Sequence, residues 1–230
     1  MADGNNKRGT LALVGGGEWL EGATFDADLL AQSDGEVLVL PTAAAYEHPG
    51  RAVEQAEGWF AAMGGRVRPC MVLSRPDAED RERSAEVAAA RFIYLSGGSP
   101  LHLRSVLKDS LVLDALLEAW RSGAVVAGSS AGAMVLSDPM VDPRGGAFTV
   151  GLGLVRNVAV VPHYTGEISS QLRRTLSLVP SDCALVALGE QCAILRDPDG
   201  VWRASGRDLI SVFFDGERAG LESLAGKPTA

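Results

Sequence analysis

A serine between two glycines is the first group in this sequence whose spacing could support covalent chemistry. Residues 125–136 read VVAGSSAGAMVL, with Gly128, Ser130 and Gly132 in a G-x-S-x-G pattern. In a nucleophile elbow the chain turns sharply from a strand into a helix, and side chains two residues before and after the serine would collide. Such a turn exposes the hydroxyl at the positive end of the helix, where the N–H of Ala131 could bind an oxyanion. The bare pattern also fits a tight strand–helix junction with an incidental serine.

A nucleophilic serine needs a base, and the chain has three histidines. His48 precedes one predicted helix and His102 lies in the first turns of another, so both fit ordinary surface or capping residues. His163 instead follows the apolar run VAVVP at a predicted strand end. We therefore expect His163 to project from the same sheet edge as Ser130 and predict it as the general base.

The acid that would orient this base is less clear from the residues alone. Glu190 follows the apolar run ALVAL, where a carboxylate is costly unless it has a partner. A turn carboxylate exposed to water is the alternative for Glu190. Asp138 and Asp142 lie in the polar loop SDPMVDPRGG, where we expect solvated side chains, but either remains a candidate.

Two glycine-rich segments follow other predicted strands. In LSGGSPLHL the N–H of Gly98 is a candidate second oxyanion donor, while Ser99 and Pro100 have the types expected of a helix cap and first helical residue. Residues 15–17 are three glycines, but they lack the G-x-G-x-x-G spacing of a dinucleotide loop. The sequence has no P-loop, no H-E-x-x-H and no metal-ligand spacing, so we expect no cofactor and no metal.

The elements that must position these residues follow a regular pattern. Short apolar runs alternate with helical patterns up to Ser130, which predicts an α/β fold with a mostly parallel central sheet covered on both faces. Shorter runs near the C-terminus (CAILRD, VWRAS and LISVFF) predict a small antiparallel part with hairpins, and DPDG is a turn. We expect one domain over residues 10–220, a flexible N-terminus over 1–9 and a frayed tail over 221–230.

Composition excludes several classes of function. The chain has 230 residues, 47% of them hydrophobic, which suffices for one sizeable core. A net charge of -8 argues against a nucleic-acid partner, because binding to phosphates needs clustered cations. Three cysteines without C-x-x-C spacing favour a reducing compartment. The polar first ten residues and the lack of an apolar run of about 18 residues predict a cytoplasmic protein with no membrane partner.

Several motifs together resemble a known family. GSSAGAMVL, YLSGGSP, VLPTAA, VPHYTGE and LGEQCAIL resemble the motif set of peptidase family S51, which includes aspartyl dipeptidases (dipeptidase E) and cyanophycinases. The resemblance spans roughly residues 10–205 and implies a class I glutamine amidotransferase-like, flavodoxin-like three-layer sandwich. It implies Ser130 as nucleophile, His163 as base and Glu190 as acid, with Gly98 and Ala131 as oxyanion donors.

The pocket residues depart from the family pattern. Ser99-Pro100 stands where cyanophycinases have Asp-Gln and dipeptidases Asn-Thr, and residues 169–170 are serines where the dipeptidases are arginine-rich. We expect Ser99 and Thr165 to contact substrate, and we expect N-terminal aspartate not to be preferred. The resulting hypothesis is a serine exopeptidase or isopeptidase acting on small peptides, as a monomer or homodimer. The alternatives are an α/β-hydrolase-type esterase and a non-catalytic amidotransferase-like binding domain.

Overall fold

The computed structural model describes residues 8–230, so the N-terminal segment expected to be flexible lies almost wholly outside the described residues. The strands are β1 (Leu11–Val14), β2 (Glu36–Leu40), β3 (Arg66–Pro69), β4 (Phe92–Leu95), β5 (Val125–Ser129), β6 (Ser137–Asp138), β7 (Met140–Val141), β8 (Phe148–Thr149), β9 (Val155–Arg156), β10 (Val158–Val161), β11 (Ala184–Leu188), β12 (Cys192–Arg196), β13 (Trp202–Gly206), β14 (Ile210–Phe214) and β15 (Glu217–Ala219). The helices are α1 (Phe25–Leu30), α2 (Pro49–Ala62), α3 (Arg75–Ala78), α4 (Arg81–Ala89), α5 (Pro100–Leu107), α6 (Leu111–Arg121), α7 (Ala131–Leu136) and α8 (Ser170–Leu178), with 3-10 turns at Thr42–Ala44 and Leu221–Leu224.

The larger sheet has seven strands in the order β13-β12-β1-β5-β4-β2-β3. Its strands β1 to β5 are parallel to one another, while β12 and β13 join antiparallel at one edge. Successive residues of a strand point to opposite faces, and on β1 Leu11 and Leu13 belong to one hydrophobic cluster while Ala12 and Val14 belong to the other. Helices therefore cover both faces, which confirms the predicted α/β architecture with a mostly parallel central sheet.

A second sheet has the order β15-β14-β11-β10-β6-β9. Strands β10 and β11 are parallel, and β14 and β15 add to them antiparallel. The predicted hairpin of β12 and β13 forms around residues 197–200, but β14 pairs with β11 and β15 rather than with β13. One hydrophobic cluster contains residues from both sheets, among them Leu13 of the larger sheet and Val160 of the second. Residues of α7 belong to the same cluster. The two sheets thus share a core.

The C-terminal segment is packed, in contrast to the frayed tail expected from the sequence. Leu224 is fully buried, and Thr229 forms a β-bridge with Val155. The N–H of Ala230 donates to the carbonyl of Leu154 at 3.1 Å, and the ammonium of Lys227 lies 4.6 Å from the ring centroid of Phe214. The buried side chain of Leu224 and the pairing of Thr229 with the edge strand β9 hold this segment in place, although its sequence has no apolar periodicity.

Three strands bring polar residues to one edge of the molecule. Ser130 directly follows β5 of the larger sheet, His163 lies two residues after β10 of the second sheet, and Glu190 lies in the connection from β11 to β12. The chain passes from the second sheet back to the larger sheet at Glu190. Within residues 8–230, no helix has the length and apolar character needed to cross a membrane.

Candidate active site

Ser130 occupies a strained turn between β5 and α7. Its backbone has φ 47° and ψ −104°, a conformation that non-glycine residues rarely adopt and that costs on the order of 1–3 kcal/mol. A Cβ on Gly128 would lie 2.6 Å from the carbonyl carbon of Gly132, and a Cβ on Gly132 would lie 2.6 Å from the carbonyl oxygen of Leu95. Neither glycine can be replaced without moving backbone. The G-x-S-x-G pattern therefore forms the sharp strand–turn–helix that its spacing predicted.

The side chains of Ser130, His163 and Glu190 form a hydrogen-bonded chain. Oγ of Ser130 lies 2.8 Å from Nε2 of His163, and Nδ1 of His163 lies 3.3 Å from Oε1 of Glu190. If Nδ1 carries the proton, its N–H donates a hydrogen bond to the carboxylate, and the lone pair of Nε2 faces the serine hydroxyl. The side chains of His163 and Glu190 are 52% and 59% exposed, so their pairing contributes little to stability. The contact is placed so that it can orient the imidazole.

The other candidate acids, Asp138 and Asp142, and the histidine His102 are bonded elsewhere. Oδ1 of Asp138 accepts the N–H of Gly151 at 2.8 Å. Asp142 binds the Arg144 guanidinium, whose hydrogen bonds lower the pKa of Asp142 to about 2. The imidazole of His102 lies 2.9 Å from the carbonyl oxygen of Leu73.

The N–H groups of Gly98 and Ala131 are placed where they could bind an oxyanion. In the described part of the chain neither N–H has a protein acceptor, whereas the N–H of neighbouring Gly97 donates to Glu18 at 2.7 Å. Gly98 has φ +134°, and a Cβ there would lie 2.4 Å from the carbonyl oxygen of Ala43. Gly98 and Ser130 line the same cavity.

That cavity, of about 500 Å³, lies beside the serine. Its lining residues are Gly98, Pro100, Ser130, Met134, Val141, Pro143, Val161, Pro162, His163, Tyr164, Thr165, Glu167, Ser169, Gln171, Leu172 and Thr175. Thr165 is among them, but Ser99 is not. The hydroxyl of Ser99 instead accepts the N–H of His102 at the start of α5, so it works as a helix cap. Among the described residues, the lining contains one carboxylate, that of Glu167, and no lysine or arginine.

The three glycines after β1 have a role that the sequence did not reveal. A Cβ on Gly16 would lie 2.4 Å from Cε1 of His163, and a Cβ on Gly17 would lie 2.2 Å from Nε2 of Gln191. The carbonyl of Gly15 accepts the N–H of His163 at 2.8 Å, and that of Gly16 accepts the N–H of Gln191 at 2.8 Å. The backbone of this loop therefore supports the segments that carry His163 and Glu190. Gly15 and His163 are 148 positions apart, and Gly16 and Gln191 are 175 apart, so no local signal in the sequence indicates these contacts.

Residues 8–230 contain no group of three or more His, Cys, Asp or Glu side chains arranged to hold a metal ion. The three cysteines are buried. Burial raises the pKa of Cys70 to about 11 and that of Cys183 to about 12, so neither thiol is poised as a nucleophile.

The fold and the site define an α/β protein with a serine elbow at the carboxyl edge of a parallel sheet. The model of peptidase family S51 matches residues 11–202, and the chain belongs to that family. A crystal structure of a peptidase from an acI-B1 actinobacterium is 29% identical with a TM-score of 0.84, covering 98% of this chain and 96% of that one. A putative peptidase E protein from Listeria monocytogenes shares the fold, at 18% identity and TM-score 0.67, covering 87% of this chain and 100% of that one.

Curated relatives match a smaller part of the chain. A cyanophycinase of Synechococcus elongatus is 28% identical over 154 residues, which are 62% of this chain and 47% of that protein. A cyanophycinase of Nostoc sp. is 27% identical over 167 residues, which are 66% of this chain and 55% of that protein. The chain thus spans about half the length of the curated relatives it matches.

Proposed function

We propose that this protein is a serine peptidase that hydrolyses peptide or isopeptide amide bonds with Ser130, His163 and Glu190. The observation that carries the proposal is the 2.8 Å approach of Oγ of Ser130 to Nε2 of His163 at a strained elbow. Membership of a peptidase family supports amide bonds as the reaction class.

The geometry supports a two-step acyl transfer. Oγ of Ser130 attacks the carbonyl carbon while its proton passes to Nε2 of His163, and the Glu190 carboxylate stabilises the imidazolium. The N–H groups of Gly98 and Ala131 bind the oxygen that becomes negative. Collapse of the tetrahedral intermediate breaks the C–N bond, and the departing amine takes the proton from His163. Water then hydrolyses the acyl-enzyme by the same route, restoring the serine.

The order of the three residues disfavours an α/β-hydrolase esterase. That fold places the acid before the histidine in the chain, whereas here Glu190 follows His163. The acids that would suit the esterase order, Asp138 and Asp142, are bonded elsewhere. A non-catalytic binding domain would not require the strain at Ser130, because a residue without a chemical role could be glycine.

The cavity chemistry supports a substrate without an acidic side chain. A buried carboxylate of a ligand normally needs a cationic or bidentate partner, and within residues 8–230 no lysine or arginine lines the cavity. Glu167 would repel such a substrate. We therefore propose that peptides with N-terminal aspartate are not preferred, although the family includes aspartyl dipeptidases.

A serine-directed probe tests the proposal while the substrate is still unidentified. A fluorophosphonate should label the wild-type protein at Ser130 and leave Ser130→Ala unlabelled. His163→Asn should lose labelling, while His48→Asn should keep it. The two variants are matched in backbone strain, because both histidines have positive φ (55° and 59°) and asparagine tolerates that conformation. Absence of labelling in the wild type would favour a binding domain.

A cleavage screen over dipeptides, including β-linked aspartyl peptides, then defines the substrate class. Rapid turnover of simple acyl esters with no peptide cleaved would instead favour the esterase. A library dominated by Asp-Xaa peptides would contradict the proposed specificity. Iodoacetamide should leave the activity unchanged in the folded protein, because the thiols are buried.

A further inference from the structure

The carboxylate of Glu18 joins two of the segments that carry the proposed site. Its Oε1 accepts the backbone N–H of Gly97 at 2.7 Å, and its Oε2 accepts the hydroxyl of Ser129 at 2.7 Å. These partners directly precede Gly98 and Ser130 in the chain. Charge-assisted hydrogen bonds of this length are about twice as strong as neutral ones. One side chain therefore fixes the separation between the glycine loop after β4 and the elbow after β5.

Hydrogen bonds on both sides of Gly98, including the one from Gly97 to Glu18, set the direction of the Gly98 N–H. Gly97 is held at both ends, because its N–H donates to Glu18 and its carbonyl accepts the hydroxyl of Ser96 at 3.2 Å. In a trans peptide the N–H points opposite to the preceding carbonyl, so the N–H of Gly98 points away from Ser96. The next N–H, that of Ser99, is fixed on the carbonyl of Ala43 at 2.8 Å. Each peptide that flanks the proposed donor thus has a partner.

The hydrogen bond from Ser129 to Glu18 lies next to the second proposed donor, the N–H of Ala131, and helps to fix its direction. Ser129 is fully buried at the end of β5, and the N–H of Ser130 donates to the carbonyl of Val14 at 2.9 Å. The next N–H along the chain is that of Ala131. A Cβ on Gly97 would lie 3.6 Å from the Cβ of Ser130, so the two segments are in contact.

We propose that Glu18 is a positioning residue that holds the N–H groups of Gly98 and Ala131 at the separation an oxyanion requires. The proposal rests on the proposed function. Glu18 itself touches neither Ser130 nor His163 through a hydrogen bond in the described structure, and it acts through Gly97 and Ser129.

Positioning requires the two hydrogen bonds of Glu18, which its negative charge strengthens but which a neutral side chain of the same shape could also make. A glutamine could retain both contacts, with its amide oxygen accepting from Gly97 and its NH₂ donating to the oxygen of Ser129. An alanine could retain neither. The pair Glu18→Gln and Glu18→Ala therefore separates positioning from charge.

The test measures the rate at which a fluorophosphonate labels Ser130, together with kcat and KM for a peptide found in the screen. We expect Glu18→Ala to lower the labelling rate and kcat about 10²-fold with KM within threefold, since losing one oxyanion donor typically costs 10²–10³ in kcat. Glu18→Gln should stay within about fivefold of the wild type. Ser129→Ala, which removes one of the two contacts, should fall between them.

Two results would overturn the proposal: a Glu18→Ala rate within threefold of the wild type, or a Glu18→Gln rate as low as that of Glu18→Ala. Circular dichroism checks that each variant folds. If Glu18→Ala does not fold, the test rests on Ser129→Ala, and a labelling rate of Ser129→Ala within twofold of the wild type would count against positioning. Failure of the proposed function gives a different result, namely a wild-type protein that is not labelled or label that persists in Ser130→Ala.

Discussion

Replacing Gly16 by alanine should displace the imidazole of His163 while leaving every proposed catalytic group in the chain. The added Cβ would lie 2.4 Å from Cε1 and 2.7 Å from Nδ1 of His163. Carbon atoms in contact prefer about 3.5–4.0 Å, so the ring must move by roughly 1 Å or more. The movement is directed away from the loop of residues 15–17.

The size of the effect follows from this displacement. Oγ of Ser130 and Nε2 of His163 are 2.8 Å apart, and a shift of about 1 Å breaks a hydrogen bond of that length. A misplacement of about 1 Å can cost about 10²-fold in rate, which corresponds to about 2.7 kcal/mol in the transition state. We therefore expect kcat/KM and the fluorophosphonate labelling rate of Gly16→Ala to fall about 10²-fold.

Backbone strain must be separated from this effect, because Gly16 has φ +121°. Gly35 has φ +84° and nothing within 4 Å of an added Cβ, so Gly35→Ala carries a positive-φ penalty without crowding. The free energy of unfolding of Gly35→Ala should be lower than that of the wild type by about 1 kcal/mol or more, and its activity should be unchanged. Both variants are compared by thermal unfolding and by labelling rate. If Gly16→Ala labels within threefold of Gly35→Ala, the glycine loop does not set the position of the imidazole.

Three further outcomes are expected. Glu190→Gln should lower kcat by up to about 10⁴-fold, whereas Asp142→Asn should stay within a few-fold; the reverse order in steady-state kinetics would place the acid in the loop. Burial raises the pKa of Asp26 to about 7, although a hydrogen bond from Trp59 acts to lower it. The folded state therefore retains a proton that the unfolded state releases near pH 4. The free energy of unfolding should therefore fall by up to about 4 kcal/mol as pH rises from 4 to 7, and denaturant titrations of Asp26→Asn should lack this decline. Finally, Ser130→Gly should be about 1 kcal/mol more stable than Ser130→Ala in urea, because glycine relieves the strain at φ 47°; equal stabilities would show that the elbow is not strained.

The parallel strands and the elbow were predictable because their signals are local. Four of the five parallel strands in the larger sheet (β1, β2, β4 and β5) are short apolar runs, whereas β3 reads RVRP and has no buried residue. The two glycines around Ser130 leave room for the sharp turn that their spacing predicts. The nearness of Ser130, His163 and Glu190 was also predictable, since each follows an apolar strand.

Other features could not be read from the sequence because they depend on contacts between distant segments. Helices α1 and α8 are short or polar and were not predicted. Ser99 was expected to contact substrate, but its hydroxyl caps α5. Glu18 looks like an ordinary loop carboxylate until its two partners, Gly97 and Ser129, are brought to it by folding.

The division of the site between two sheets has a consequence for fragments of this protein. The nucleophile lies before the exposed turn at residues 143–145, and the base and acid lie after it. Yet β12, from the later part, pairs along the whole of β1 at Leu11–Val14. A chain cut at this turn would yield two pieces that are each inert, whose reassociation through β1 and β12 would bring Ser130 back to His163. Labelling of Ser130 would then serve as a reporter of assembly between the halves.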